Sequence, residues 1–425
     1  MTPVPLNLPL RPSEAAEVAN LVFELAERRP LTGEVRNRIA ARAAALRLEG
    51  LTPLVGSLAR DPVHHSTYYL VVDVAGGQTQ LLHMAPASAP TSSVFHKPLL
   101  ICRVRRAGGP EAVINAIPFG PSDAETLEKY VSRVDPAFSP RPHGQHAALV
   151  AAPARLETGM AAAFDAFRRI LKRTGMNVAA VEMAPPAYDA GLRAAVRAGW
   201  RDGYSAGVTL RAGETGREAV REAARFTRFR IDAADLVVDA DGAGAVEERY
   251  DAAFTAGERA WIAAEFVRRF DAGGVAFELT AADAARMAVR LGPALKACER
   301  LHEWIREARS AAKTGRSFDF ELALPGASAR ELLFALHWLK ARGHAAQFID
   351  PGAMAEAELE AALLEFPIVG RHYGCVLAVQ AGESHSDAAL EALARATAGR
   401  VSYRVSGEAA GDARRLNRIA EILWG

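Results

Sequence analysis

At 425 residues, half of them hydrophobic, the chain is too long for one small domain and too apolar for a disordered one. Its 51 basic and 50 acidic residues leave a net charge of +1, which excludes the strong electrostatic footprint of a nucleic-acid binder or a membrane-surface protein. Cys102, Cys298 and Cys375 are too few and too widely spaced for a disulfide framework or a zinc knuckle.

The first ten residues lack the charged and apolar regions of a secretory leader. No apolar run approaches the roughly 18 residues of a membrane span, so a cytoplasmic protein is expected. Arginine far outnumbers lysine and alanine is abundant, which reads as compositional bias rather than phosphate binding.

In chain order, residues 13–28 and 33–49 read as helices. Strands at 67–74 and 78–84 flank Ala75-Gly76-Gly77, a hairpin signal, and further strands are expected at 99–104 and 112–117. The Pro-rich segment 135–144 marks a boundary between an N-terminal α+β domain, 1–140, and a second domain, 145–425.

Beyond it the pattern alternates strand and helix. Short apolar runs at 147–152, 178–183, 206–210, 227–231, 318–324, 345–349, 374–379 and 401–405 read as strands buried on both faces of a parallel sheet. Eight strands without a Gly-rich first turn favour a (β/α)8 TIM-like barrel over a doubly wound open sheet. The clearest helix runs from 328 to 342, with Ser328 and Glu331 as a capping box and Leu332, Leu333, Leu336 and Leu339 on one face. A long insertion, about 233–316, follows the fourth strand. It holds a strand at 275–279, a capping box at Thr255 and Glu258, and a helical stretch at 281–313.

Several motifs carry little chemistry. Gly203-Tyr204-Ser205-Ala206-Gly207 matches the nucleophile-elbow pattern, but a helix precedes it and a strand follows, the reverse of an elbow. Asp241-Gly242-Ala243-Gly244 lacks the flanking strand and helix of a dinucleotide site. His64 and His65 are neighbours that point apart on regular structure, and His143 and His146 precede the first barrel strand, at the N-terminal rim.

Catalytic groups in barrels sit at strand C-termini. Asp232 follows the fourth strand, Glu321 lies in the fifth, Asp350 follows the sixth, Gln380 the seventh, and Arg404 with Glu408 marks the eighth. Asp319 and Glu321 share one strand face and Phe318, Phe320 and Leu322 the other. A carboxylate turned into a barrel interior must be paired or ligate something. Glu321 is therefore either a functional group or the partner of Arg404 in a structural ion pair.

At these residues the chain resembles the tagaturonate/fructuronate epimerases, metal-dependent sugar-acid enzymes, from about Gly144 onward. The likeness is carried by Gly203-Tyr204-Ser205 with Gly207, by Phe229-x-Ile231-Asp232, by Phe318-Asp319-Phe320-Glu321, and by Gly382 and Gly407 in two glycine-bearing stretches. The insertion has the same position. Where the family carries Asp-x-Asp-His after the third strand, this chain has Leu210-Arg211-Ala212-Gly213-Glu214. The family's histidine after the seventh strand is Gln380, its lysine near the eighth is Arg404, and its acidic residues after the fifth are Pro325 and Gly326. An amide oxygen is a poor substitute for imidazole on a transition metal. Two surviving carboxylates would hold Mg²⁺ or Mn²⁺ only with water or substrate completing the shell.

The resemblance implies retro-aldol cleavage and religation, with Arg404 as electrophile for the oxyanion and Glu321 as base. Asp232, Gln380 and Glu408 are then expected to bind substrate. No residue is expected as a fixed metal ligand, and the cofactor the resemblance implies is at most a weakly held divalent cation. The expected partner is a small sugar acid or related carbohydrate. Two functions stand: a divergent hexuronate epimerase or isomerase, and a catalytically inactive barrel that binds a carbohydrate or effector.

Overall fold

The computed structural model describes residues 10–27, 29–88, 95, 98–105, 109–239, 243–381 and 385–425. It divides into two packed units, 1–139 with 189–203, and 140–188 with 204–425. Asp241 and Gly242 of the Gly-rich turn, and Gly382, lie outside the described residues.

The first unit opens with α1 (Pro12–Ala26) and α2 (Gly33–Ala45), the latter capped by the Thr32 side chain accepting from Val35 N. Then come β1 (Leu51–Pro53), β2 (Ala59–Arg60), β3 (Tyr68–Val74), β4 (Gln78–Pro86), β5 (Leu99–Val104), β6 (Ala112–Pro118) and α3 (Ala124–Lys129). The strands form an antiparallel sheet in the order β1-β3-β4-β6-β5, with β2 beside β3. Gly76 and Gly77 take positive φ in the β3–β4 turn, as the hairpin signal requires. Strand alternation sends Leu70, Val72, Leu82, Met84 and Ile114 into one core with Val18, Val22 and Leu25 of α1.

The first unit also claims 189–203, which carries most of α5 (Tyr188–Ala198). Arg201 explains why. Its guanidinium donates to Asp135 Oδ2 at 2.8 Å, to Leu58 O at 3.0 Å and to Gly56 O, and it stacks on Phe138. Arg197 adds a bidentate pair to Asp73 at 2.5 and 2.6 Å. Between them Gly199 presses on Gly56 so closely that a Cβ would stand 2.6 Å from the Gly56 Cα.

The second unit is the barrel. Around α4 (Leu156–Thr174) and α6 (Arg217–Glu222) run β7 (Ala148–Pro153), β8 (Ala179–Glu182), β9 (Ser205–Arg211) and β10 (Arg228–Asp232). The insertion follows as α7 (Ala243–Ala253), α8 (Ala256–Phe266), a hairpin of β11 (Arg269–Ala272) and β12 (Val275–Glu278), and α9 (Ala281–Ala311). The chain then continues through β13 (Asp319–Ala323), α10 (Ala329–Ala341), β14 (Phe348–Asp350), β15 (Ala353–Met354) and α11 (Glu356–Tyr373). It ends with β16 (Val376–Ala381), α12 (Asp387–Thr397), β17 (Val401–Gly407) and α13 (Ala413–Trp424).

The eight strands β7, β8, β9, β10, β13, β14, β16 and β17 pair in parallel, each with the next, and β17 returns to β7. The sheet is therefore closed, and all eight expected strands are present. Capping boxes start α8, α9 and α10 at Thr255, Thr280 and Ser328. An aromatic cluster ties the insertion to α10: Phe266 stacks on Phe334 at 4.1 Å and Trp261 meets Trp338 edge-on at 4.8 Å. Among the described residues no helix is long and apolar enough to cross a membrane.

Gly199 and Gly175 both hold positive φ, +67° and +71°, but nothing lies within 4 Å of a Cβ built on Gly175. Each alanine substitution carries a left-handed penalty of about 1 kcal/mol. Only Gly199→Ala adds a backbone collision. Chemical denaturation should show Gly199→Ala at least about 2 kcal/mol less stable than Gly175→Ala; equal losses would refute the close approach of Gly56.

Candidate functional site

The barrel interior is built by strand alternation. On β10, Phe229 and Ile231 turn outward, so Arg228, Arg230 and Asp232 turn in. On β13 the same rule turns Asp319 and Glu321 inward, on β14 Asp350, on β17 Ser402 and Arg404, and on β8 Glu182. Parallel register brings Arg230 level with Glu321 and Arg404 level with Gln380.

Glu321 is the centre. Its Oε2 accepts from Arg228 Nε at 2.9 Å and Arg228 Nη2 at 2.5 Å. Its Oε1 accepts from Arg404 Nη2 at 2.9 Å and lies 3.6 Å from Arg230 Nε. Asp350 Oδ2 receives Arg230 Nε at 2.8 Å and Arg404 Nη1 at 3.3 Å, while its Oδ1 accepts from Gly352 N. Glu182 takes Arg404 Nε at 2.7 Å and the Thr209 hydroxyl at 2.5 Å. Arg230 Nη1 donates to Asp232 Oδ2 at 3.1 Å. Arg228 also donates to Ser402 Oγ at 2.8 Å and covers the Phe348 ring at 3.8 Å.

These charges are buried: Glu321 and Asp350 at 0 %, Arg228 at 2 % and Arg404 at 5 % exposure. Burying an ion costs several kcal/mol, which only dense pairing offsets. Burial alone would raise the Glu321 carboxyl, but Arg228, Arg404 and Arg230 outweigh it and hold it well below its usual range. Burial likewise works against the Arg404 cation, and the carboxylates of Glu321, Glu182 and Asp350 more than reverse it. At the barrel floor, Asp319 accepts from His143 N at 2.7 Å and Gly144 N at 2.8 Å, and burial pushes its carboxyl up.

The residues singled out in sequence part company here. Glu321 and Arg404 share the network, and Asp232 joins it at the mouth, where its side chain is 27 % exposed. Gln380 lies half-buried on β16, level with Arg404 of β17. Glu408 stands apart in a short turn after β17, exposed, with Arg155 Nε 3.9 Å away. Ser205 of the elbow-like motif is fully buried at the start of β9, after Gly203 in a positive-φ turn. His64 and His65 are exposed, and neither ring nitrogen of half-buried His143 has a partner among the described residues. Sequence reasoning passed over Arg228, Arg230 and Glu182. The alternation of Arg228-Phe229-Arg230-Ile231-Asp232 was the signal for the first two.

Fold and interior together define a class: a closed (β/α)8 barrel with an N-terminal antiparallel-sheet unit and an ion-paired interior. The same fold is found in crystal structures of fructuronate-tagaturonate epimerase UxaE from Cohnella laeviribosi. A glycerol complex superposes with a TM-score of 0.63 at 16% identity, covering 88% of this chain and 74% of that one. The native form gives 0.62 at 18% identity, covering 88% and 75%. No protein-family model matches the chain, and no curated protein matches it in sequence.

Glu321→Gln keeps the side-chain shape but removes the charge that three guanidiniums face. A loss of about 3–5 kcal/mol at pH 7 is expected by chemical denaturation. A depressed carboxyl stabilises the fold fully above its unfolded value, about 4.3, and loses that contribution as pH falls toward the folded value. The gap between wild type and variant should therefore narrow as pH falls from about 4 toward about 2. A gap that is small at pH 7, or constant with pH, would contradict the network.

Proposed function

We propose that this protein is a divergent relative of the sugar-acid epimerases whose barrel binds a sugar acid or related carbohydrate, or another small effector, without metal-dependent epimerisation. The observation that carries this reading is Glu321, sealed from solvent and bonded by Arg228 and Arg404. A general base needs access to the substrate proton and a matched basicity. Glu321 has neither, and all three nitrogens of Arg404 are held by carboxylates.

The divalent cation that the resemblance implies does not fit this donor set. Among the described residues no three His, Cys, Asp or Glu side chains are placed to hold a metal. The interior carboxylates already accept from guanidiniums at 2.5 to 3.3 Å, whose charge would repel a second cation.

A divergent hexuronate epimerase is the second reading. The shared fold favours it, as do Glu182 and Asp232, whose carboxylates reach the C-terminal rim with 18 % and 27 % of their side chains exposed. Fold alone does not transfer an activity.

Purified protein should carry far less than stoichiometric Mn, Zn or Fe, keep its Tm in chelator, and leave hexuronates unchanged by NMR. Carbohydrate should still raise its Tm. Stoichiometric metal with chelator-sensitive interconversion of hexuronates would restore the epimerase.

A further inference from the structure

We infer that a groove between α6 and α9, on the helical layer outside the strands, binds a small planar aromatic carboxylate. The groove encloses about 340 Å³, room for a two-ring acid. Helix spacing shapes it. Arg217 and Arg221, four residues apart, share one face of α6, and Trp304, Ala308 and Ala311 share one face of α9. Ala224, Ala308, Ala311 and Ala312 leave the space that larger side chains would fill. The floor is fixed in advance. Ala224 O accepts from Arg309 Nη1 at 3.1 Å and from the Thr314 hydroxyl at 2.9 Å, tying the chain after α6 to the end of α9. A ligand therefore meets a formed surface and spends little on ordering it.

The charges favour an anion. Arg217, Arg221, Arg300 and Lys313 stand around the groove against Glu218, Glu222 and Glu307, while Glu303 and Arg306 pair with each other. One positive charge is in excess, and the Arg309 guanidinium beneath the floor adds to that sign. The carboxylates hold the two lining arginines loosely. Glu307 Oε2 lies 3.6 Å from Arg217 Nη1, and Glu218 reaches Arg221 at 3.0 Å only from the preceding turn of the same helix. All four side chains are mostly exposed, where such pairs contribute little, so a ligand carboxylate can replace them at small cost. Arginine presents a planar fork that matches a carboxylate in two places.

Trp304 supplies the aromatic half of the recognition. Its indole is half-buried at the groove, with Arg217 5.3 Å and Arg300 5.5 Å from the ring centroid. A flat ring laid between this indole and the alanine floor gains apolar burial and stacking, and its carboxylate then falls to Arg217 and Arg221. A single excess positive charge matches a monoanion better than a phosphate dianion, and the alanine floor has no donor side chain for sugar hydroxyls. Glu307 competes for the same guanidinium as the ligand, so the site carries its own internal competitor.

Saturation-transfer NMR titrations on the whole protein test this with 2-naphthoate and indole-3-acetate, against neutral indole-3-acetamide, ring-free acetate and adenosine monophosphate. The aromatic acids should bind with a Kd of about 1 mM or tighter, and each of the other three at least about tenfold more weakly. Arg217→Gln and Arg221→Gln should each weaken the acids at least about threefold. Ala311→Leu fills the groove at an exposed helical position and should abolish binding, as should Trp304→Ala. Glu307→Gln should strengthen the acids at least about twofold, a gain that a merely structural role for Glu307 would not give. Unchanged Tm in the variants shows that folding is retained. Amide, acetate or nucleotide binding as well as the acids, affinities unmoved by Ala311→Leu or Glu307→Gln, or no saturable binding below about 10 mM would each overturn the inference. None of these results bears on carbohydrate binding at the barrel mouth.

Discussion

Everything in the barrel depends on how the Glu321 carboxylate is shared among guanidiniums. A closed eight-stranded sheet encloses an interior that side chains must fill, and branched apolar residues usually fill it. Here the strands β10, β13, β14 and β17 send Arg228, Arg230, Glu321, Asp350 and Arg404 inward instead. The strands β7 and β8 contribute the small apolar residues Ala148, Val150 and Ala180, which pack together. Charges so deeply buried persist only because nearly every oxygen and guanidinium nitrogen has a partner. The packing of the barrel and the chemistry of its mouth are thus one problem. Groups that could attack, abstract or ligate are occupied in holding the strands together.

That constraint separates fold from function. The barrel shares its architecture with a sugar-acid epimerase, and its C-terminal mouth is where such barrels act. Yet the charge at the mouth is built from arginine and carboxylate rather than from carboxylate and imidazole. Guanidinium supplies a fixed positive charge held by carboxylates, whereas a metal would supply an open coordination position.

Much of the fold was legible in the sequence because its signals are local. Apolar runs of four to eight residues marked the barrel strands, Ser328 with Glu331 and Thr255 with Glu258 marked helix starts, and Gly76-Gly77 marked a hairpin. The pairing of Glu321 with Arg404 was legible as one of two readings, since a carboxylate inside an apolar strand demands a partner. Arg228 and Arg230 were not singled out. In an arginine-rich chain they read as background, and only the closure of the sheet sets them against β13. Glu182 was missed for the same reason: its partner Arg404 is 222 residues away. The allegiance of 189–203 to the N-terminal unit rests on Arg201 and on the contact of Gly56 with Gly199, neither of which leaves a local pattern.

The claim that Glu321 and its guanidiniums act as one structural unit is tested most directly by a double-mutant cycle. The cycle compares Glu321→Gln, Arg404→Met and the double variant by chemical denaturation. Residues in one buried network are non-additive, and a coupling of at least about 2 kcal/mol is predicted, with the double variant losing far less than the sum of the single losses. Additivity within about 0.5 kcal/mol would show that the two side chains do not depend on each other, and would contradict the account.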